Sequence, residues 1–183
     1  MGKKLAEEHR LIDIISTKDG VLQVGSSRMI LLSAKAYVYL VQSVYEHAPH
    51  ATKFLLYNVG YRAGQEFMGS IHGMASDKAD LMRYAVKTFE QAGYGDFELM
   101  EFDLQRPYVR IRGKNLFEAS LAEEMGVYRS PRAVDHYSRG MFAGFFSQLL
   151  GQEVVCEEME CRARGDDACE FVIMPFALEG PAP

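Results

Sequence analysis

Residues Cys156 to Phe171 have the sequence CEEMECRARGDDACEF and contain all three cysteines of the 183-residue chain. Apolar residues flank this segment at 154–155 and at 171–174, and the polar run from Arg164 to Asp167 lies between them. Apolar runs separated by a glycine-containing polar stretch are typical of two strands joined by a turn. The segment therefore predicts a β-hairpin near the end of the chain.

This hairpin would bring Glu158, Cys161 and Cys169 to one point. Thiolate and carboxylate groups together suit a divalent metal such as zinc, whose structural sites use four protein ligands. The C-x7-C spacing does not match a zinc-finger knuckle, and free cysteines also occur as small buried apolar residues. From the residues alone, a metal site and a pair of buried thiols are both open interpretations.

The composition predicts one globular domain. Hydrophobic residues make up 48% of the chain, and its net charge is −5. We expect a single domain over residues 20–176, preceded by an N-terminal segment, 1–19, that holds the first strand, and followed by a flexible tail, 177–183. The acidic balance argues against direct nucleic-acid binding, which needs a basic face. If the protein signals, it must do so through a downstream protein partner.

Three features of the sequence concern its location. No run of eighteen apolar residues occurs, so we expect no membrane span. The first ten residues lack the apolar core of a signal peptide. Three cysteines, an odd number close together, fit a reducing compartment. We therefore expect a cytoplasmic protein.

Hydrophobic periodicity predicts helices and strands in separate blocks. An Asp-Gly turn at 19–20 is expected to join strands Leu11–Ile15 and Val21–Val24 in a hairpin. The predicted helices run from Ser26 or Ser27 to His47, from Ala51 to His72, from Ser76 to Gly93 and from Pro131 to Leu150, and the predicted strands are Phe97–Leu104 and Val109–Arg112. Segregated helices and antiparallel strands favour an α+β fold.

Pairs of glycines four residues apart occur in two of the predicted helices. They are Gly60 with Gly64, and Gly140 with Gly144. Small residues at this spacing let another backbone come close, and a glycine wall beside a ligand is the alternative. We expect the second helix to turn four apolar residues inward: Leu55, Val59, Ala63 and Phe67.

The hairpin motif carries a family resemblance. Glu158-x-x-Cys161-Arg-Ala-x-Gly165-Asp166-x-x-Cys169-x-Phe171 resembles the signature that ends the 4-vinyl reductase domain, which also forms the sensory module of XylR/DmpR-type aromatic-responsive activators. Three upstream segments support the resemblance: Gly140-x-x-x-Gly144-Phe145-Phe146-x-x-Leu149-Leu150-Gly151, Asn115-x-Phe117-Glu118-Ala119 and Leu56-Tyr57-x-x-Gly60-x-x-x-Gly64. The similarity therefore covers residues 20 to 175.

The resemblance implies a fold and a mode of assembly. Domains of this family are similar to haem NO-binding domains and to Golgi-tethering subunits, with helices packed on an antiparallel sheet. They are usually dimers and enclose a small-molecule pocket between helices and sheet. We therefore expect an α+β homodimer that binds a small hydrophobic molecule.

The resemblance also implies a structural zinc site. In the sensor members, a glutamate and two cysteines at the positions of Glu158, Cys161 and Cys169 bind zinc, with a third cysteine before the last long helix. Here Asp135-His136 occupies that place, and the register puts Asp135 at the cysteine position. Asp135 and His136 are equal candidates for the fourth ligand, followed by Cys156, which shares a strand face with Glu158. Loss of the metal is the alternative.

Ligand contacts are expected in the apolar interior. The sensor members hold a phenolic hydroxyl with a histidine and a tryptophan, and this chain contains no tryptophan, so that contact is not carried over intact. The candidate ligand-binding residues are Phe67, Ile71, His72, Phe117, Phe142 and Phe145. Ordinary core packing is the alternative for each of them.

Three functions follow from the resemblance. The first is a stand-alone domain that binds a tetrapyrrole-like or aromatic ligand as a sensor or carrier. The second is an accessory or catalytic part in vinyl reduction of a (bacterio)chlorophyll precursor. Reduction needs a hydride source, and the chain has no nicotinamide or flavin motif, so we favour delivery of substrate over catalysis and assign no catalytic residue. The third is a dimeric assembly scaffold without a ligand.

Overall fold

The computed structural model describes residue 11 and residues 15–24, 27–73, 77–103, 105–120 and 134–176. The strands are β1 Ile15–Lys18, β2 Val21–Val24, β3 Ser27–Met29, β4 Asp96–Asp103, β5 Tyr108–Lys114, β6 Val154–Glu160 and β7 Cys169–Pro175. The helices are α1 Ala34–His47, α2 Thr52–Ile71, α3 Lys78–Gln91 and α4 His136–Leu150, with a short 3-10 turn at Arg162–Arg164. Helices and antiparallel strands are segregated, which confirms the α+β prediction.

The first three strands form a small antiparallel sheet in the order β1-β2-β3. Asp19 and Gly20 have φ angles of 50° and 75°, the left-handed conformation that a two-residue hairpin turn requires. Because this turn pairs Lys18 with Val21, β1 ends at Lys18. The predicted strand at 11–15 is therefore placed too early, and Leu11 is helical. The predicted domain boundary after residue 19 falls within the turn.

The first long helix begins later than predicted. Ser27–Met29 pairs with β2 as a strand, so the helix does not start near Ser26 or Ser27. Ser33 caps α1 instead, and its Oγ accepts a hydrogen bond of 3.2 Å from the backbone N–H of Ala36. Both positions offer serine, and the long-range pairing of β3 with β2 decides between them.

Helices α2 and α4 cross at very close range. A Cβ atom built on Gly60 would lie 2.1 Å from the carbonyl oxygen of Tyr137, and one on Gly144 would lie 1.9 Å from that of Tyr61. Gly64 and Gly140 face backbone carbonyls at 2.1 and 2.0 Å in the same way. These contacts confirm the prediction that the glycine pairs serve close helix packing. Any larger residue would push the two backbones apart.

The glycine face of α2 displaces the apolar face that the sequence predicts. Leu55 and Val59 are 44% and 58% exposed, so the expectation that they point inward is wrong. The buried positions of α2 include Gly60, Gly64 and Met68. Since α4 packs against the glycines, these larger side chains of α2 are turned towards solvent.

The main sheet is antiparallel and has the strand order β4-β5-β7-β6. A register shift between Leu99 and Glu101 interrupts the alternation of β4, which explains its irregular sequence pattern. Phe142 and Phe146 of α4 are buried against the inward residues of this sheet, among them Phe171. The sheet and α4 together therefore hold the core.

Two helix starts differ from the predictions in detail. Asp77 caps α3, and its Oδ1 accepts a hydrogen bond of 2.9 Å from the N–H of Ala79, whereas the predicted cap, Ser76, lies outside the described residues. The start of α4 is described from His136, and the predicted start at Pro131 also lies outside them. Within the described part of the chain, no helix is long and apolar enough to cross a membrane.

Candidate metal centre and aromatic interior

Four potential metal ligands converge where the β6–β7 hairpin meets the start of α4. Asp135 immediately precedes α4, Glu158 lies on β6, Cys161 follows β6 and Cys169 begins β7. One ligand atom of each residue lies within 4.8 Å of those of the other three, and all four residues are buried. The hairpin supplies three of these groups because its strands pair up to Glu160 and Glu170, next to the two cysteines.

Backbone donors hold one oxygen of each carboxylate and leave the other free. The N–H of Ala119 donates to Asp135 Oδ1 at 3.0 Å, and the N–H of Asp135 donates to Glu158 Oε2 at 3.2 Å. Asp135 Oδ2 lies 4.0 Å from the Cys161 sulfur, which donates to it. Glu158 Oε1 is buried and has no hydrogen-bond partner among the described residues. Such an oxygen is costly to bury unless another group binds it.

The electrostatics of this corner favour added positive charge. Burial raises the pKa of Glu158 to about 8. Burial and then the neighbouring charge of Glu158 raise the pKa of Asp135 well above its usual value. A hydrogen bond from the Cys169 thiol lowers the pKa of Cys161, and the pKa of Cys169 is raised in turn. Protons therefore occupy the corner, and a metal would have to displace them.

The donor set fits a closed structural metal site. Two thiolates and two monodentate carboxylates supply four ligands, the number that structural zinc uses. The unpartnered Glu158 Oε1 is the structural sign that a group is expected there. The four residues that would hold the ion are Asp135, Glu158, Cys161 and Cys169.

The other two predicted ligands lie outside this group. His136 is the first residue of α4, and its Nδ1 is buried without a hydrogen-bond partner in the described residues. Burial, together with the charges of Arg139 and Lys53, lowers its pKa to about 4. Cys156 is buried on the same strand face as Glu158, and burial raises its pKa. A ligand role for His136 or Cys156 stays a prediction that this geometry does not support.

A second buried carboxylate, Glu118, was missed as a site residue. It accepts hydrogen bonds from the Tyr37 hydroxyl, the N–H groups of Tyr137 and Ser138, and the Ser138 hydroxyl, at 2.7–3.1 Å. Burial and the charge of Asp135 raise its pKa to about 7. The only sequence signal was an acidic residue between apolar ones, at 116–119.

The interior beside α4 is a connected group of phenylalanines. Phe145 lies 6.0 Å from Phe67 and 6.1 Å from Phe89 between ring centroids. Phe142 lies 5.9 Å from Phe89 and 5.3 Å from Phe171. Three of the predicted ligand-binding residues, Phe67, Phe142 and Phe145, are thus brought together, and their role as ligand contacts stays a prediction.

Phe117 belongs to a neighbouring group that contains hydroxyls. Its ring lies 5.0 Å from Tyr37, 5.5 Å from Tyr94 and 6.4 Å from Tyr137. The hydroxyls of Tyr94 and Tyr137 are 3.4 Å apart. Of the remaining predicted contacts, Ile71 is buried at the end of α2, whereas His72 is the exposed residue that follows it.

These features define a class: an α+β domain with a metal-ligating corner and an aromatic interior beside one glycine-rich helix. Residues 117–175 match the family model of the V-4-R (4-vinyl reductase) domain. The match confirms the resemblance to the 4-vinyl reductase domain family, and the chain carries a domain of this family in this segment.

Two curated proteins are similar over much of the chain. The phenol regulator MopR of Acinetobacter guillouiae is 22% identical over 190 aligned positions, which cover 96% of this chain and 33% of MopR. The uncharacterized protein MJ0745 of Methanocaldococcus jannaschii is 27% identical over 122 residues, 67% of this chain and 56% of that protein. The chain thus spans a third of one relative and just over half of the other.

Solved structures share the fold. The phenol-responsive sensory domain of the transcription activator PoxR, crystallised with phenol, superposes with a TM-score of 0.81 at 16% identity, covering 94% of this chain and 89% of that one. A trafficking protein particle complex subunit 3 from Naegleria fowleri, covalently bound to palmitic acid, gives 0.55 at 17% identity, covering 77% and 91%. An H-NOX protein from S. oneidensis gives 0.53 at 14% identity, covering 93% and 86%. The predicted kinship with NO-binding and Golgi-transport folds is confirmed.

Proposed function

We propose that this chain is a sensor or carrier domain that binds a small apolar ligand, aromatic or tetrapyrrole-like, in its aromatic interior. The observation that carries the proposal is the superposition of 94% of the chain on the sensory domain of PoxR, a structure that contains phenol. The fold neighbour that holds palmitic acid supports an apolar cargo as well. Phenol and palmitate are therefore suitable first probes.

The aromatic groups beside α4 suit such a ligand. Apolar pockets hold their ligands with hydrophobic and aromatic side chains and a few polar anchors. The phenylalanines around Phe142 and Phe145 supply the apolar surface, and the paired hydroxyls of Tyr94 and Tyr137 supply hydrogen-bonding groups next to Phe117. We propose that the ligand lies between these two groups.

We propose zinc as the ion of the metal centre, in a structural role. A four-ligand site leaves no open position for chemistry and contributes folding free energy instead. Asp135 and Glu158 would bind through Oδ2 and Oε1, since their other oxygens are held by N–H groups. The ion would fasten the β6–β7 hairpin to the start of α4.

Ligand binding is tested first by native mass spectrometry of the freshly purified protein, before and after denaturation. Titration calorimetry with phenol, palmitate and protoporphyrin IX then measures affinity, with Phe117→Ala as the test variant and Phe176→Ala as the control. Phe176 is 55% exposed, so its truncation should leave affinity unchanged. Binding by none of the three probes, and no co-purified organic mass, would refute the sensor or carrier proposal.

We propose that the functional unit is a homodimer. Helices α1 and α2 expose apolar side chains, and the largest of these are Tyr39, Leu40, Phe54, Leu55 and Val59, each at least 44% exposed. Exposed apolar area of this kind marks interaction surfaces, and a second copy is the occupant that we propose. Sedimentation of the protein and of Leu40→Lys, measured at the same concentration, tests the dimer. A monomeric wild-type protein at micromolar concentration would contradict it.

We place the protein in the cytoplasm, where its three free cysteines would stay reduced. The match to the 4-vinyl reductase domain keeps an accessory part in vinyl reduction as a second function. Turnover of a vinyl porphyrin with NADPH and the purified protein alone would replace the binding role with catalysis. A dimer that binds no ligand would instead favour the scaffold.

A further inference from the structure

Residues 118–119 join the metal centre to helix α1. The N–H of Ala119 donates to Asp135 Oδ1, the carboxylate next to the hairpin cysteines. The side chain of the preceding residue, Glu118, accepts from the N–H groups of Tyr137 and Ser138 at the start of α4. The same carboxylate accepts a 3.0 Å hydrogen bond from the hydroxyl of Tyr37, on α1.

Helix α1 depends on this connection for its position. Val38 is the one buried residue of its 14, all of which are described. Tyr37 adds the hydrogen bond to Glu118 and ring contacts with Phe117 and Tyr137, at 5.0 and 6.1 Å. A helix with so little buried surface is held by its few specific contacts and opens at low free-energy cost when they are lost.

We propose that metal occupancy controls the docking of α1, with Glu118 and Tyr37 as the connecting residues. The inference rests on the metal part of the proposed function and extends it: the centre regulates α1 as well as stabilising the hairpin. The output is the exposed apolar surface of α1, which includes Tyr39 and Leu40. This surface is presented in a fixed position only when the metal is bound.

The coupling has a physical cause in the shared hydrogen bonds. Without an ion, two carboxylates and two thiols lie within 4.8 Å of one another, and Glu158 Oε1 is unpartnered among the described residues, so the corner gains by opening. Movement of Asp135 takes with it the N–H of Ala119 and, through it, Glu118. A bound ion fixes Asp135 and therefore keeps the acceptor for Tyr37 in place. The ion thus binds the docked state more tightly, which is the requirement for coupling.

Hydrogen exchange measured by mass spectrometry tests the proposal, on zinc-loaded protein and on protein stripped by a chelator. We expect residues 34–47 to exchange about tenfold faster after zinc removal, within the range of known couplings. Helix α3 serves as the internal reference, because it buries six residues of its own and should change little. In Tyr37→Phe, α1 should exchange fast with or without zinc. Tyr39→Phe, an exposed tyrosine of the same helix, is the matched control and should behave as the wild type.

Reciprocity supplies a second readout. Whatever factor zinc contributes to α1 docking, an intact Tyr37 must contribute to zinc affinity, so Tyr37→Phe should bind zinc about tenfold more weakly. If zinc protects the hairpin, residues 154–175, and leaves α1 exchange unchanged, the coupling is refuted and the structural zinc site stands. If no zinc binds, the zinc site and the coupling both fail.

Discussion

Two buried carboxylates lie beside the start of α4, and they have contrasting surroundings. Glu118 is 6% exposed and accepts four hydrogen bonds, from Tyr37, Tyr137 and both donors of Ser138. Glu158 is 8% exposed and accepts a hydrogen bond from the Asp135 N–H, while its Oε1 has no partner among the residues described. Burial raises the pKa of both, to about 7 and about 8.

The contrast teaches how to separate a structural carboxylate from a ligand. A buried polar atom without a partner costs more than the net gain of a typical hydrogen bond, so the fold must compensate for it or leave it for another group. Glu118 is satisfied by the chain itself. Glu158 keeps one oxygen beside two thiols and a second carboxylate, where only a cation completes its surroundings.

The largest expected effect is on zinc affinity. Glu158→Gln removes a proposed ligand and should weaken zinc binding more than about 100-fold, above the roughly 10- to 100-fold that groups positioning a ligand contribute. Glu118→Gln should weaken it only about tenfold, through Ala119 and Asp135. Competition with a chromophoric chelator measures both. Equal losses in the two variants would erase the distinction between ligand and positioning residue.

The order should reverse for the stability of the metal-free protein. Glu118→Gln puts an amide NH2 against the N–H donors of α4 and should lower the free energy of unfolding by about 1–3 kcal/mol. Glu158→Gln replaces a carboxyl with an unpartnered oxygen and should change it by less than about 1 kcal/mol. Urea denaturation in chelator compares them. A larger loss in Glu158→Gln would show that Glu158 is satisfied without metal.

The hairpin and its ligands were predictable because they are local. Glu158, Cys161 and Cys169 lie within twelve residues of one another, and a turn between two strands is enough to bring them together. Asp135 was reached by register but was not separated from His136. The choice between adjacent residues depends on which of them faces the hairpin, and only the packed start of α4 fixes that.

What the sequence did not show depends on contacts between distant elements. Glu118 acts through the juxtaposition of its own segment with the starts of two helices, 81 residues away at Tyr37 and 20 at Ser138. The inward face of α2 was assigned to Leu55 and Val59 because they are apolar, whereas the crossing with α4 selects the glycines. Hydrophobic periodicity cannot register a face that is buried by being small.

The two carboxylates should also shape the pH dependence of stability. Their pKa values are raised from 4.5 to about 7 and about 8, so the folded metal-free protein binds more protons than the unfolded chain between those values. Its stability is therefore fully present below pH 4.5 and is lost as pH rises to 8, by at most about 1.4 kcal/mol per pH unit for each carboxyl.

Zinc-loaded protein should show the opposite trend, since protons compete with the ion for its ligands. Thermal unfolding with and without zinc between about pH 5 and pH 8 measures the gap, which should widen with pH. In metal-free Glu158→Gln, the loss between pH 7 and pH 8 should shrink, while the loss below pH 7 due to Glu118 should remain. A gap that is constant with pH would contradict the assignment of protonated ligands to the corner.

The smallest expected effect tests whether the bonds of Glu118 are separable from the metal centre. Ser138→Ala removes the 2.7 Å bond from the Ser138 hydroxyl and keeps the N–H bond of the same residue, so Glu118 still accepts three hydrogen bonds. Loss of one neutral donor to a buried carboxylate should cost about 0.5–1.5 kcal/mol of unfolding free energy. Zinc affinity should stay within about twofold, because the remaining bonds still hold Glu118 and Ala119 in place. A tenfold loss of zinc affinity in Ser138→Ala would mean that the carboxylate needs every one of its donors, and the two sites would then have to be treated as one network.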